Sequence, residues 1–215
     1  MNYSAVIFDM DGVLIDSEPL WQEAGKETLN HFGISLTDDQ YHTSTGLRTE
    51  EWVDHWFRYF GIDQVHAPEA VRIIIQTAID KIGQQGTAMP GVTEILDYFS
   101  EKNYRIGLAT SSPLALVDVV VDKLTIRNRF HHFSSAEFLP YGKPHPQVFL
   151  DCAAALQTPP AACIVFEDSY NGMIAAKAAR MKCVVVPAAN QFEQLRWGAA
   201  DLKLKTLVEY PLYAD

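Results

Sequence analysis

The amino-acid sequence predicts an α/β protein: a doubly wound parallel sheet with a helical domain inserted after its first strand. Three observations predict this fold class. Short apolar runs alternate with helix patterns along most of the chain, which is typical of a parallel sheet with right-handed crossovers. Residues 16–87 interrupt that alternation with helix patterns alone. The 215 residues, 48% of them hydrophobic, are enough to bury a substantial core.

Four apolar runs are predicted to be buried strands, because each is short, continuous and followed by polar or turn residues. They cover residues 5–8, 105–109, 163–166 and 183–186. Helix patterns lie between or beside them, at residues 92–102, 113–124, 146–156 and 171–180. Sheets of this kind bind ligands at the carboxyl ends of their strands, so the polar residues that follow each run are the candidates for function.

The interrupting segment is predicted to be a separate α-helical cap domain. Ser17 is a suitable N-cap, and Pro19 lies in the first turn of a helix that extends to Phe32. Residues 50–60 and 68–82 form two further helix patterns, and the sequence "QQG" that follows is expected to be a linker. The predicted domains are a core of residues 1–15 and 88–215 and a cap of residues 16–87.

Composition restricts the partner and the compartment. The formal net charge of −10 argues against a nucleic-acid partner, which would need clustered basic residues. The first residues lack the features of a signal peptide, and no apolar stretch reaches the roughly 18 residues of a membrane span. Cys152, Cys163 and Cys183 are odd in number and widely spaced, which favours reduced core thiols. We expect a cytoplasmic protein with no membrane partner, and a monomer by default.

Two acidic residues follow the first predicted strand. Side chains two apart in extended backbone point to the same side, so Asp9 and Asp11 are expected to face one pocket, where they repel unless a cation lies between them. Glu167 and Asp168 follow another strand, and such oxygen-rich sites suit Mg²⁺. Acids in this position are equally well explained as N-caps or turn residues. An EF-hand is excluded, because Gly12 lies at the fourth position of the loop and not at the sixth.

Hydroxyl and lysine side chains follow two other predicted elements. Thr110 and Ser111 precede a helix, and hydroxyls with free backbone N–H groups at a helix N-terminus form a phosphate cradle. The same arrangement without a ligand is an ordinary N-cap, which is the commoner case for this feature alone. Lys143 lies between glycine and proline before the next helix, where it could balance phosphate or carboxylate charge. Most loop lysines are instead solvated.

The order of these residues, more than any one of them, indicates the function. An Asp-x-Asp pair, a hydroxyl, a lysine and paired acids each lie near the end of a predicted strand. With the sequences "FDMDGVLIDSEPLW", "LATSSP", "GKPHPQVF" and "EDSYNGMIAAKAARM", they make nearly the whole chain resemble the haloacid dehalogenase superfamily of phosphotransferases. The resemblance implies a Rossmann-like core, a mobile helical cap and a Mg²⁺-dependent reaction.

The resemblance also implies a role for each matching residue. Asp9 would be the nucleophile that takes the phosphoryl group as an aspartyl-phosphate, and Asp11 the acid and base. Thr110 and Lys143 would bind the phosphoryl oxygens. The implied Mg²⁺ site comprises Asp9, the backbone carbonyl of Asp11, Asp168, and Glu167 as a further ligand or as a support behind the ligands.

Within the superfamily, "DSEPLW" and "NGMIAAKAARM" resemble bacterial sugar-phosphate phosphatases of the 2-deoxyglucose-6-phosphate or hexitol phosphatase type. β-Phosphoglucomutase is also similar, but it places a histidine at the position of Trp21, so simple hydrolysis is favoured. Asp11 argues against dehalogenases, which lack this second aspartate. It also argues against a receiver-like signalling module, because a base would hydrolyse the stored phosphoryl group. The expected substrate is a small phosphorylated sugar or polyol, with the mutase and the receiver-like module as alternatives.

The cap is expected to select the substrate through the sequence "STGLRTEE". Arg48 is the candidate contact to the phosphate or the polyol hydroxyls, with Gly46 beside it and Trp21 at the hinge. An exposed arginine at a helix start is nearly as good an interpretation of Arg48. Trp52 and Trp56 are expected to be cap core and not a sugar platform, since aromatic residues at helical spacing usually pack.

Overall fold

The computed structural model describes residues 3–44 and 46–213. Its strands are β1 (Ala5–Phe8), β2 (Ile15–Asp16), β3 (Thr87–Ala88), β4 (Arg105–Thr110), β5 (His132–Ser135), β6 (Cys163–Glu167), β7 (Lys182–Val185) and β8 (Leu202–Lys203). Its α-helices are α1 (Glu18–His31), α2 (Asp38–His42), α3 (Thr49–Phe60), α4 (Ala67–Gln85), α5 (Val92–Glu101), α6 (Leu114–Lys123), α7 (Gln147–Ala155) and α8 (Tyr170–Ala178).

Six strands form one parallel sheet in the order β5-β4-β1-β6-β7-β8. The predicted α/β fold class with a doubly wound parallel sheet is confirmed. The four strands expected from the sequence agree with the observed bounds to within one residue at each end. They were predictable because a strand buried on both faces is apolar at every position, without alternation.

The central strand β1 sets the position of the residues that follow it. Phe8, its last residue, pairs with Leu108 on β4 and with Phe166 on β6. The N–H of Asp9 continues this ladder by donating to the carbonyl of Phe166, at 2.9 Å. Because parallel strands end at the same edge of the sheet, Thr110 and Glu167 lie beside Asp9 at that edge.

Helices cover both faces of the sheet and complete its burial. On one face the Phe8 ring contacts Phe99 of α5 and stacks on Phe166 at a centroid distance of 4.9 Å. On the other face Ile7 lies in a second cluster with Phe149 of α7. Apolar burial on both faces is the main source of stability for a sheet of this kind.

The segment between β2 and β3 is helical and contains α1 to α4. Helix α4 packs against both α1 and α3, and Trp52, Trp56 and Phe57 of α3 are buried as expected for core aromatics. The antiparallel pairing of Ile15 with Ala88 and of Asp16 with Thr87 brings the two ends of the segment together. The exact domain limits, residues 1–15 with 88–215 and residues 16–87, stay a prediction.

Several local predictions differ from the structure. Helix α4 continues to Gln85, so "QQG" is mostly helical and not a linker. Ser17 occupies the N-cap position of α1 but has helical and not extended backbone angles, and it makes no side-chain capping bond; its hydroxyl donates to Asp11. The short strands β2, β3 and β8 have two residues each, which is too few for a recognisable pattern. The β5 sequence "HFSS" is half-buried and too polar to read as a buried strand.

Cys152, Cys163 and Cys183 are all buried and free, as the sequence predicts for reduced core residues. Burial raises the pKa of the Cys163 thiol to about 11, which keeps it protonated and unreactive at neutral pH. Across residues 3–44 and 46–213, every helix is too short or too polar to traverse a lipid bilayer.

Candidate active site

A cavity lies between the carboxyl end of the sheet and the inserted helices. Its lining unites residues from strand ends, loops and helices that are far apart in the chain. Eight of the residues predicted for the site line it: Asp9, Asp11, Trp21, Gly46, Thr110, Ser111, Lys143 and Asp168. The two others lie nearby: Glu167 is buried behind Lys143, and Arg48 binds a neighbouring loop.

Three carboxylates meet at the floor of the cavity. Asp9, Glu167 and Asp168 each present an oxygen within 4.8 Å of the others. Burial, and then the nearby Glu167 charge, raise the pKa of Asp9 well above its ordinary value. Burial, followed by Glu167 and Asp9, raises the pKa of Asp168 in the same way. Both aspartates therefore resist ionisation unless a cation joins them.

Lys143 is a buried cation at the centre of this group. It is 1% exposed, and its Nζ lies 2.9 Å from Asp9 Oδ1 and in contact with Glu167. Burial opposes its charge, but the carboxylates of Asp9 and Glu167 outweigh that effect and raise the pKa of Lys143 above its ordinary value. The interpretation of Lys143 as a solvated loop lysine is wrong, and the lysine is a fixed positive charge beside Asp9.

Both carboxylate oxygens of Glu167 accept hydrogen bonds from protein groups. It is fully buried, one carboxylate oxygen accepts from Lys143, and the other accepts from the backbone N–H and the hydroxyl of Ser169, both at 2.9 Å. Helix α8 passes so close that a Cβ on Gly172 would lie 1.8 Å from Glu167 Oε1. Protein donors thus occupy both oxygens, which favours the supporting role among the two left open for Glu167.

The close approach of Gly172 gives a stability prediction. The change Gly172→Ala is expected to lower the free energy of unfolding by about 1–3 kcal/mol and to reduce activity, because the methyl group displaces Glu167 and with it Lys143. Urea denaturation measures the first effect. The matched control is Gly198→Ala, in a short 3₁₀ helix with nothing within 4 Å of the added Cβ. Equal stability for the two variants would contradict the account.

The acidic floor fits a divalent cation. With its three carboxylates ionised and Lys143 charged, the group carries a net charge of −2 (−3 + 1). Asp9 Oδ1 is buried and, among the described residues, receives an ion-pair contact but no well-aligned hydrogen bond. Gly12, at φ +71°, lets Asp168 approach, since a Cβ there would lie 2.2 Å from Asp168 Oδ2. Hard carboxylate oxygens with an unsatisfied negative charge are typical of a Mg²⁺ site.

The side chain of Asp11 does not join this acidic group but is held by three donors. Its Oδ1 accepts from the Ser17 hydroxyl at 2.6 Å and from Trp21 Nε1 at 2.8 Å. Its Oδ2 accepts from the Ser112 hydroxyl at 2.6 Å. Asp11 therefore faces the same cavity as Asp9, and its side chain is held in a fixed orientation.

Hydroxyl groups also line the cavity. Thr110 is 1% exposed, and its Oγ1 accepts from the N–H of Ser112 at 3.0 Å. Ser111 donates to the carbonyl of Gly46 at 3.2 Å, so the loop before α3 touches the loop after β4. Gly46 has φ +87°, and a Cβ there would lie 2.8 Å from Ser169 Oγ. The inserted helices thus close over the sheet edge at a point where glycine is required.

Arg48 binds protein groups and does not line the cavity. Its Nη1 donates to the carbonyls of Ala136 and Leu139, at 3.1 and 2.5 Å, and its Nη2 pairs with Glu51 at 2.7 Å. Glu51 also accepts from the N–H of Gly142, next to Lys143, at 3.1 Å. The side chain is 11% exposed, so the interpretation as an exposed arginine is wrong. A substrate contact by Arg48 stays a prediction, and the observed contacts join α3 to the loop before Lys143.

The sequence did not single out several residues that shape the cavity. They are Glu18, Tyr41, Ser112 and Ser169; Ser44 and Thr49 also line the cavity, from within the predicted loop "STGLRTEE". Trp52, expected to be core alone, is both 7% exposed and part of the cavity wall, and its ring lies against Gly25. The cap contacts of these residues depend on how α1 and α3 pack, which no single motif encodes. His145 is exposed and accepts from the N–H of Gln147 at the start of α7.

The site contains a buried lysine and carboxylates at the strand ends, and helices are inserted over them. This combination is typical of one class of hydrolase. The haloacid dehalogenase-like hydrolase family model matches residues 6–186, and the chain belongs to this family. The chain is 42% identical over 206 residues to hexitol phosphatase B of Escherichia coli strain K12, spanning 95% of this chain and 93% of that protein. It is 31% identical over 183 residues to a phosphorylated carbohydrates phosphatase of Thermotoga maritima, spanning 81% of each. The predicted class of enzyme, a phosphatase of this family, is confirmed.

Solved structures confirm the fold. CbbY from Rhodobacter sphaeroides in complex with phosphate superposes with a TM-score of 0.86 at 23% identity, over 96% of each chain. β-Phosphoglucomutase from Clostridium difficile superposes with a TM-score of 0.85 at 23% identity, over 98% of this chain and 96% of that one. At this level of identity the likeness establishes the architecture alone.

Proposed function

We propose that the protein hydrolyses small phosphorylated sugars or sugar alcohols, such as 2-deoxyglucose 6-phosphate or hexitol phosphates, in a Mg²⁺-dependent reaction through an aspartyl-phosphate on Asp9. The observation that carries the proposal is the position of Asp9, buried at the end of the central strand between the Lys143 ammonium and the Asp168 carboxylate. A carboxylate nucleophile needs an orienting cation and an acid–base partner, and Lys143 and Asp11 provide them.

The proposed reaction has two phosphoryl-transfer steps. In the first, a carboxylate oxygen of Asp9 attacks phosphorus, the bond from phosphorus to the sugar oxygen breaks, and protonated Asp11 gives that oxygen its proton. In the second, Asp11 takes a proton from water as the water oxygen attacks phosphorus, and the bond from phosphorus to Asp9 breaks. The sum converts a monoester and water into an alcohol and inorganic phosphate. Both aspartates return to their starting states.

Lys143, Thr110 and Ser111 are the groups we propose for the phosphoryl oxygens, and Asp9, Asp168 and the backbone carbonyl of Asp11 are those for Mg²⁺. When bound, the ion neutralises negative charge on the carboxylates and the phosphoryl group. Glu167 is not proposed as a direct ligand, since both of its oxygens accept from protein donors. In the proposed reaction Lys143 stays charged throughout and holds Asp9 in place for attack.

The walls of the cavity support a polyol or sugar as the leaving group. Trp21 and Trp52 present apolar rings, while Glu18, Ser44 and Thr49 present polar groups beside them. Apolar faces with a few well-placed polar groups are typical of small-molecule sites. The names of the relatives, hexitol phosphatase B and a phosphorylated carbohydrates phosphatase, support the same substrate class. The three buried free thiols support a reducing, cytoplasmic compartment.

The test is a kcat/KM panel across hexose, pentose and hexitol phosphates, with nucleotides and phosphoglycolate as controls. We expect phosphate release from sugar or hexitol phosphates with Mg²⁺ and loss of activity in EDTA.

Since the pKa values of Asp9 and Asp168 are raised, protons compete with the metal. The Mg²⁺ concentration that gives half of the maximal rise in Tm is therefore expected to increase as the pH falls from about 8 to about 5. Full activity in EDTA would contradict the proposal.

The panel also separates the alternatives. A mutase of the β-phosphoglucomutase type, whose fold this chain shares, would convert β-glucose 1-phosphate into the 6-phosphate without net release of phosphate. A receiver-like module would keep a phosphoryl group on Asp9 for minutes or longer, without turnover of any substrate. Net release of phosphate from a sugar phosphate over many turnovers is expected from the proposed phosphatase and from neither alternative.

A further inference from the structure

Trp21 contacts Asp11, the residue proposed as acid and base. Its Nε1 donates to Asp11 Oδ1 at 2.8 Å, and its half-buried ring forms part of the cavity wall. Ser17, one helical turn earlier, donates to the same oxygen at 2.6 Å. The backbone N–H of Trp21 donates to the carbonyl of Ser17, so both donors belong to one turn at the start of α1. Two of the three donors that hold the Asp11 side chain therefore come from this turn.

The three donors to Asp11 differ chemically. The hydroxyls of Ser17 and Ser112 can rotate and accept a hydrogen bond instead of donating one, whereas an indole N–H is a donor only. Oδ1 of Asp11, which faces the indole, is therefore kept as an acceptor. Oδ2, which accepts from the Ser112 hydroxyl at 2.6 Å, is left as the oxygen that can exchange a proton with the leaving group.

We infer that Trp21 is a positioning residue for Asp11, an inference that rests on the proposed phosphatase function. The indole N–H fixes which oxygen of Asp11 faces the leaving group and holds it there. Its role differs from that of a sugar platform, in which the ring would bind the substrate. The two roles have different kinetic consequences. Loss of a platform weakens binding and raises KM, whereas loss of positioning lowers kcat for substrates whose leaving group needs a proton.

The variant that separates these roles is Trp21→Phe, which removes the N–H and keeps an aromatic ring. Sugar and polyol leaving groups are strongly basic and need a proton from Asp11, while nitrophenolate leaves without one. We expect kcat for the best sugar or hexitol phosphate to fall about 10- to 100-fold, and kcat for p-nitrophenyl phosphate by less than about 3-fold. The control is Trp197→Phe, which also removes a buried indole N–H, the donor to the carbonyl of Gln191, but lies outside the cavity lining; both kcat values are expected to stay close to those of the parent.

The possible outcomes are distinct. Equal losses of kcat for both substrates, or a change in KM alone, would overturn the positioning role of Trp21. A wild-type protein that hydrolyses neither substrate would overturn the proposed function instead. A thermal scan of Trp21→Phe, with Tm close to the parent, establishes that the variant is folded. A selective loss with the sugar phosphate, absent from Trp197→Phe, would support the inference.

Discussion

Replacing Asp9 with asparagine is expected to abolish hydrolysis while leaving the metal-free protein at least as stable as the parent. The loss of kcat should reach about 10⁴-fold or more, because the amide cannot form the acyl phosphate and the remaining groups have no nucleophile to act on. Phosphate release from the best substrate of the panel measures this loss. Residual turnover near that of the parent would contradict the assignment of Asp9.

The stability part of this prediction follows from the raised pKa of Asp9. A carboxyl group whose pKa is higher in the folded than in the unfolded state stabilises the fold at low pH. That contribution is lost as the pH rises through the folded-state pKa. At neutral pH the buried carboxyl group therefore stabilises the metal-free fold less than it does at low pH, whereas the neutral asparagine has no such pH-dependent loss. Urea denaturation in EDTA at neutral pH should give an equal or higher free energy of unfolding for the variant.

The matched control is Asp80→Asn, which makes the same chemical change on the exposed face of α4. Its activity and its free energy of unfolding are both expected to stay close to those of the parent, within about 0.5 kcal/mol for the latter. Added Mg²⁺ should raise the Tm of this control as much as that of the parent, and that of Asp9→Asn by less, since a ligand is missing. A markedly less stable Asp9→Asn would show that its inactivity reflects misfolding.

Replacing Lys143 with methionine is expected to cause a large loss of both stability and activity. The change leaves the carboxylates of Asp9 and Glu167 buried without their cation. Removing one partner of a buried ion pair costs about 3–5 kcal/mol, because the remaining charge stays desolvated. The pKa of Lys143 is raised by these partners despite its burial, so its contribution is fully present at neutral pH and is lost only as the pH rises through that high pKa.

Two comparisons test this explanation of Lys143 by urea denaturation. The double variant Lys143→Met with Glu167→Gln should recover part of the loss, since it leaves fewer unpaired charges. The control Lys26→Met breaks an exposed pair with Asp38 and should cost about 1 kcal/mol or less. At acid pH, where Asp9 takes up a proton, the cost of Lys143→Met should shrink. A cost for Lys143→Met no larger than that for Lys26→Met would contradict the account.

The sequence predicted the sheet well because its strands are buried on both faces. Ala5–Phe8 and Cys163–Glu167 are apolar up to the residues that carry charge, and parallel register then brings Asp9 beside Glu167. The positions of the strand ends could therefore be inferred before any contact was known. The two-residue strands β2 and β8 could not, because two residues carry no periodicity.

The roles of individual side chains were harder to predict than their proximity. Ser17 fits an N-cap by its position, yet its hydroxyl is turned toward Asp11 and donates to that carboxylate. Arg48 fits a substrate contact, yet its Nη1 already donates to backbone carbonyls of the loop before Lys143. Both outcomes depend on the packing of α1 and α3 against the sheet edge. Such long-range competition between partners leaves no signature in a local motif.

The most direct test of the proposed aspartyl-phosphate on Asp9 is to locate the phosphoryl group during turnover. Wild-type protein is mixed with Mg²⁺ and the best substrate of the panel, quenched in acid within one turnover, and mapped by peptide mass spectrometry. We expect a phosphoryl group on Asp9 that forms and disappears during turnover and is absent from Asp9→Asn. A phosphoryl group on a different residue, or rapid turnover without any adduct on Asp9, would contradict it.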